Sequence, residues 1–178
     1  MYGNDRGSRG PGEPAEGGLR LSRLGPGQLA ACQDLDAAAL GQLWSTAQWQ
    51  AELADAARLA MGLWQGDALV AMACGWLIVD ELHITLVAVR PQQRRRGLGR
   101  QVLQALLAEG QGRGARAATL EVAEGNRAAL GLYGALGFSS RGRRRDYYRS
   151  GEAALIQWLP LTQPCPGDGA DNTIDRCG

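Results

Sequence analysis

From Leu19 onward the chain alternates between two patterns, apolar residues at every second position and apolar residues at helical spacing. Leu19 to Leu24 alternates apolar with polar residues like a short strand, and Pro26-Gly27 punctuates it. Residues 27 to 43 carry Leu29, Cys32, Leu35, Ala39, Leu40 and Leu43 at helical spacing, and a second short helix is predicted over 46 to 57. Two apolar runs, Leu59 to Trp64 and Ala68 to Val79, are split by Gln65-Gly66-Asp67, a hairpin signal. Asp80-Glu81 makes the next turn, into a strand over 82 to 89. The helix that follows presents Leu98, Val102, Leu103, Leu106 and Leu107 on one face, and the stretch from Gly110 to Gly114 ends it. A strand at Ala117 to Val122, a helix from Asn126 to Leu136 and two strands at 138 to 148 and 153 to 159 complete the series. The order β, α, α, β, β, β, α, β, α, β, β predicts an α/β (α+β) fold. Its sheet is mixed and mostly antiparallel, flanked by helices, with a crossover through the 98 to 110 helix.

Composition bounds what such a fold can be. Residues 1 to 18 are rich in Gly and Pro and cannot bury enough apolar surface to offset their ordering entropy; they read as a disordered tail. Residues 161 to 178 read as a flexible tail in the same way, leaving one domain over 19 to 160. No run of 18 apolar residues is present, and the N-terminus lacks the apolar core of a signal sequence. The expectation is a soluble, cytoplasmic protein with no membrane partner. With 19 basic against 18 acidic residues, nothing global marks a nucleic-acid binder, although Arg94 to Arg96 with Arg100, and Arg141 with Arg143 to Arg145, form two basic clusters. Cys32, Cys74, Cys165 and Cys177 make no Cys-x-x-Cys pair, and His83, the only histidine, sits in an apolar strand with its imidazole expected to be satisfied locally. No metal site and no triad hydrolase are expected.

The densest signal lies between 82 and 100. A strand ending in Val87-Ala88-Val89 passes through Arg90-Pro91 into Arg94-Arg95-Arg96-Gly97-Leu98-Gly99-Arg100 and a helix. Backbone N–H groups converge at such a turn and the helix dipole favours negative charge there, so the segment suits a phosphate chain. The dinucleotide fingerprint wants a third glycine at position 102, which is Val102, and the mononucleotide loop wants Gly-Lys-Ser/Thr where this chain has Gly99-Arg100-Gln101.

What remains, Arg-x-x-Gly-x-Gly (Arg94, Gly97, Gly99) after a Val-Ala-Val strand, resembles the pyrophosphate-binding motif of the GCN5-related N-acetyltransferases (GNAT). The order of elements matches that architecture over nearly all of 19 to 160. Leu120-Glu121-Val122, Asn126, Ala129, Leu132-Tyr133, Leu136-Gly137-Phe138 and Arg145-Asp146-Tyr147-Tyr148 resemble, at their spacings, the bacterial branch that acetylates the N-terminal alanine of a ribosomal protein. That branch commonly has Asn where this chain has Asp146, and its helical region near Trp44-Ser45 is matched loosely. The resemblance implies acetyl-CoA as cosubstrate, with no metal, and the N-terminal peptide of a protein, a ribosomal protein, as partner. Arg95, Arg96, Gly97, Leu98, Gly99 and Arg100 correspond to the pyrophosphate segment. Val87, Ala88 and Val89 are expected to offer backbone groups to the pantetheine arm, as to an added strand. The acceptor groove is expected from the 44 to 50 region, whose Trp44 and Trp49 could equally be core, and from a hairpin over 141 to 149.

Acyl transfer from a thioester to an amine needs a deprotonated nucleophile and a proton for the departing thiolate. Glu121, near the end of a strand, could accept the amine's proton directly or through a water; it could also be an exposed carboxylate paired with a nearby Arg. The resemblance makes Glu121 the general base and Tyr133 the general acid. Tyr133 follows Asn126 by seven residues, so the two share a helix face. Asn126 corresponds to a cofactor contact and could also cap its own helix. Alternative readings keep the fold but change the acceptor to a small amine or a lysine side chain, or make the chain a non-catalytic module binding coenzyme A or RNA. The presence of both Glu121 and Tyr133 speaks against a dead enzyme, and direct nucleic-acid binding is not expected.

Overall fold

The computed structural model describes residues 18 to 161. The tails expected to be disordered lie outside the described residues apart from Gly18 and Leu161. The elements are β1 (Leu19–Arg23), α1 (Leu29–Leu40), α2 (Thr46–Ala54), β2 (Arg58–Gln65), β3 (Ala68–Ile78), β4 (Glu81–Val89), α3 (Leu98–Gly112), β5 (Ala117–Ala123), α4 (Arg127–Ala135), β6 (Ser139–Arg144) and β7 (Ala154–Pro160). Short 3-10 turns, Pro26–Gln28 and Pro91–Gln93, precede α1 and α3. The strand order is β1-β2-β3-β4-β5-β7-β6. β1 with β2, β2 with β3, β5 with β7 and β6 with β7 pair antiparallel, while β4 and β5, joined through α3, pair parallel. The predicted α/β architecture and element order are the observed ones.

The chain divides into two compact units. The first holds β1, α1, α2, β2, β3 to Trp76, β4 from Ile84 and α3 to Leu106. Its core packs Leu35, Cys32 and Trp49 of the two early helices against Ala60, Met72, Cys74, Leu86 and Ala88 of the strands. Trp49 is fully buried and meets Trp44 edge to face at 4.7 Å, so both early tryptophans are packing residues. Buried Asp36 organises the link between α1 and α2. Its carboxylate accepts from the backbone N–H of Leu43 (2.8 Å) and Trp44 (3.0 Å) and from the Trp49 indole (2.9 Å). Buried Glu52 pairs with Arg58 beside a cavity of about 350 Å³, and desolvation pushes its carboxyl above the usual range although Arg58 opposes the shift.

In the second unit, the first residues of β4 and the last turns of α3 join β5, α4, β6 and β7. Three boundaries differ from the sequence reading. Glu81 is the first residue of β4, and the turn before it is Val79-Asp80. α3 ends at Gly112, inside the stretch from Gly110 to Gly114 expected to end it but beyond residue 110; Gly110 is still helical, a Cβ there would come within 2.8 Å of Leu82 Cδ2, and the chain turns at Gly114 (φ +99°). Glycine is kept there because strand and helix approach closely. The strand predicted over 138 to 148 stops at Arg144, because Arg145-Asp146 forms a turn and Asp146 is left-handed (φ +50°). A long irregular loop therefore stands where a hairpin arm was expected.

Candidate active site

Each expected site residue can be placed within one of the two units. In the first, β4 buries Ile84, Leu86 and Ala88 and leaves Val87 and Val89 half-buried on the other face. Its first residues, Glu81 to His83, pair in parallel with Ala117 to Thr119 of β5, and β4 continues to Val89. After Val89 the chain is pinned by the Arg90 N–H, which donates to the Val70 carbonyl at 2.8 Å. Arg95 then takes φ +61° and Gly97 φ +77°, before Leu98 opens α3. Left-handed residues alternating with ordinary ones turn successive N–H groups to one side, a concave nest for anions. The helix begins with the Gln101 N–H donating to the Gly97 carbonyl at 3.1 Å, so the N–H groups of Leu98, Gly99 and Arg100 precede the first intrahelical bond. Leu98 itself is buried and anchors the helix start, leaving its backbone as its contribution.

The arginines of this turn are not equivalent. Arg94, the first position of the motif, donates to the Val89 carbonyl at 3.3 Å and to the Ala39 carbonyl at 3.1 Å. It ties the turn to the end of α1 and spends its donors on the protein. Arg90 does likewise, with Asp34 at 2.5 Å. Arg96 bonds Gln93, while exposed Arg95 and Arg100 carry no ion pair among the described residues. A diphosphate fits this donor set: orphan helix N–H groups, a nest and two guanidinium groups at its rim.

In the second unit, Glu121 lies on β5 opposite Ile156 of β7, with its side chain one-third exposed. Its Oε1 is 3.4 Å from Arg144 Nη1, so the paired-carboxylate reading of Glu121 holds in this structure. Asn126 caps α4: its Oδ1 accepts from the Ala129 N–H at 3.1 Å, leaving the amide donors for other work. Tyr133, two turns on, is buried and meets Phe138 edge to face at 5.8 Å. Burial, helped by the neighbouring Tyr148, pushes its phenol up to about 12. Tyr148 is also raised, chiefly by burial, with Tyr147 and then Glu121 adding to it.

The loop after β6 contains Tyr147 and Tyr148, edge to face at 5.1 Å. The second basic cluster is largely engaged within the chain. Arg143 grips Glu124 in a fork (2.7 to 3.1 Å) that holds the Glu124 carboxyl below its ordinary range, Arg144 takes Glu121, and Arg141 stacks over Trp158 at 4.8 Å. Sequence reasoning missed Arg144 and Glu124 as partners, because nothing local announces that β7 intervenes between β5 and β6. His83 sits half-exposed with Nε2 3.5 Å from Glu81. Among the described residues no group of three or more potential metal ligands occurs, and no helix is long and apolar enough to cross a membrane.

With this geometry in place, comparison with known proteins identifies the class: residues 29 to 138 match the acetyltransferase (GNAT) family, and the chain belongs to it. It is an N-acetyltransferase of that family. The particular relatives are narrower. Over 107 residues the chain is 38% identical to the ribosomal protein bS18-alanine N-acetyltransferase of Salmonella typhimurium, covering 58% of this chain and 72% of that one. It is 36% identical over 110 residues to the N-alpha-acetyltransferase RimI of Mycobacterium tuberculosis, covering 60% and 68%. The crystal structure of the Escherichia coli ribosomal-protein-alanine N-acetyltransferase superposes with a TM-score of 0.76 at 31% identity, covering 86% of this chain and 99% of that one.

Proposed function

We propose that this enzyme transfers the acetyl group of acetyl-CoA to the α-amine of a protein N-terminus, the N-terminal alanine of ribosomal protein bS18. The observation that carries the cosubstrate is the preformed turn from Arg95 to Arg100, whose left-handed residues and orphan helix N–H groups suit a diphosphate. The acceptor is supported by the relatives, several of which bear that substrate in their names.

Bound acetyl-CoA supplies an activated thioester; the chain supplies grip and proton traffic. The turn's N–H groups, that of Arg96 among them, hold the diphosphate with the Arg95 and Arg100 guanidinium groups, and Val87 to Val89 offer strand N–H and C=O groups to the pantetheine amides. The amide donors of Asn126 add a contact. Glu121 takes a proton from the attacking amine, directly or through a water, as the C–N bond forms. Tyr133 donates to the sulfur as the C–S bond breaks. A phenol raised to about 12 stays protonated throughout the working range, so its donor form is always present. A thiol ionises near about 8.5 and is the stronger acid. Tyr133 therefore stabilises the developing thiolate by a hydrogen bond and keeps its own proton, while the proton that left the amine passes from Glu121 to solvent, from which the departing thiolate is protonated.

An α-amine has a pKa of about 8 and a lysine side chain of about 10.4, so a carboxylate base suits the former better. The test is release of free thiol from acetyl-CoA with a peptide that begins with the N-terminal sequence of the ribosomal protein, and with an N-terminally blocked copy retaining a lysine. Turnover is expected with the first alone. The chain contains no lysine, so acetyl transfer to lysines of the enzyme cannot confuse the readout. Turnover on the blocked copy would make lysine the acceptor.

A further inference from the structure

Arg144 closes β6, and its guanidinium lies 3.4 Å from the Glu121 carboxylate although the two residues sit on strands that do not touch. The register explains the approach. Glu121 stands opposite Ile156 of β7, and Ile156 stands opposite Gly142 of β6. Alternate residues of a strand share a face. On that face Gly142 and Arg144 of β6, Ala154 and Ile156 of β7, and Glu121 and Ala123 of β5 lie together, because Arg144 pairs with Ala154 and Ala154 with Ala123. Gly142, Ala154 and Ala123 carry no long side chain there, and Ile156 is the one bulky neighbour on the face that Arg144 shares with Glu121. The pleat sends Arg143 to the opposite face, where it is committed to Glu124. The Arg144 guanidinium also stands 5.7 Å from the Tyr147 ring centroid, a cation–π arrangement.

We infer that Arg144 is a positioning residue for the base: it holds Oε1 of Glu121 and thereby assigns Oε2 as the oxygen that receives the acceptor's proton. This rests on the reading of Glu121 as base. As the amine attacks, its N–H bond breaks and the O–H bond forms on Oε2, or on a water bonded to it, while the guanidinium keeps its protons. Because the pair is exposed (55% and 33% for the two side chains), its contribution to stability is small. Its consequence is orientation, read in turnover.

The experiment measures kcat and acceptor KM by thiol release for the full chain, Arg144→Met, Arg144→Lys, Glu121→Gln and the Glu121→Gln/Arg144→Met double variant, at saturating acetyl-CoA. Methionine keeps an unbranched apolar stem against Tyr147, and thermal melts check that each variant folds. Arg144→Met is expected to lower kcat by about threefold to fivefold, the range of an exposed ion pair, with acceptor KM within twofold. Arg144→Lys restores more than half of the loss, and in the Glu121→Gln background Arg144→Met has no further effect. An equal loss in both backgrounds, a rise in KM with kcat unchanged, or full activity of Arg144→Met overturns the inference. Wild-type turnover by Glu121→Gln instead removes Glu121 as base, and the inference falls with it; these failures are distinguishable in one data set.

Discussion

Replacing Gly97 by Ala tests whether the turn before α3 binds through its backbone. Gly97 has φ +77°, and a Cβ built on it meets no atom within 4 Å. Space is therefore not the constraint, and the whole effect of Gly97→Ala comes from conformation. A residue with a Cβ in the left-handed region costs about 1–2 kcal/mol relative to its ordinary range. The turn is exposed, so it can relax to another conformation without unfolding the domain. The population of the binding-competent turn then falls, and the apparent dissociation constant for acetyl-CoA rises by the same factor, about fivefold to thirtyfold. Isothermal titration with coenzyme A and acetyl-CoA reads this directly. A thermal melt provides the control, since a local relaxation leaves the midpoint within a few degrees. Binding should weaken equally for both ligands, because the diphosphate is common to them, and kcat at saturating acetyl-CoA should stay near wild type. Unchanged affinity would refute the assignment of this turn as the diphosphate cradle. Loss of kcat with unchanged affinity would show that the turn acts on the chemistry instead.

Tyr133→Phe should slow turnover tenfold or more while acetyl-CoA affinity holds. Because the folded phenol is raised to about 12 and an unfolded one titrates near about 10, the fold keeps its proton longer than the unfolded chain. Stability is flat below that lower value and falls as pH rises toward the upper one, and denaturant melts between those pH values should show a shallower decline in Tyr133→Phe. Asp36→Ala strips the acceptor from three N–H donors, Leu43, Trp44 and the Trp49 indole, and should cost about 3–5 kcal/mol in urea melts; a loss under about 1 kcal/mol would show that water replaces the carboxylate. Gly110→Ala gains about 1 kcal/mol of helix propensity but forces a Cβ to 2.8 Å from Leu82 Cδ2, so a net loss of about 1–2 kcal/mol is expected. Adding Leu82→Val should recover part of that loss, and independent, additive effects would refute the contact.

The sequence made the order of elements legible because the signals involved are local. Alternation marks β1 and β4, and helical spacing marks α1 and α3, whatever they pack against. Boundaries set by tertiary contact were not legible. Gly110 reads as a helix stop until Leu82 is seen against it. Residues 138 to 148 read as one strand until the left-handed Asp146 ends the pairing after Arg144. The diphosphate turn was legible as composition, yet which arginines remain free was not, because Arg94 is claimed by the Ala39 carbonyl fifty-five positions away in the chain.

The residues proposed to handle protons show the same division in sharper form. Tyr133 and Asn126 share a helix, so their spacing of seven carried real geometric content and the cap on Ala129 followed from residue type. Glu121 and Arg144 are joined only by the order β5-β7-β6, and no periodicity encodes which strand lies between two others. Asp146 links the two cases. Asn and Asp tolerate the left-handed region better than other residues with a side chain, since each can bond its own backbone there. An Asp where the family commonly has Asn therefore preserves the turn that ends β6. The exchange adds a negative charge that acts on the Arg143 guanidinium in the same direction as Glu124, the larger influence. Arg143 is the arginine already committed to Glu124, and it lies on the face of β6 opposite that on which Arg144 meets Glu121. A departure that the sequence alone leaves standing against the family pattern is thus absorbed by the backbone conformation at Asp146, with the Glu121–Arg144 pair intact.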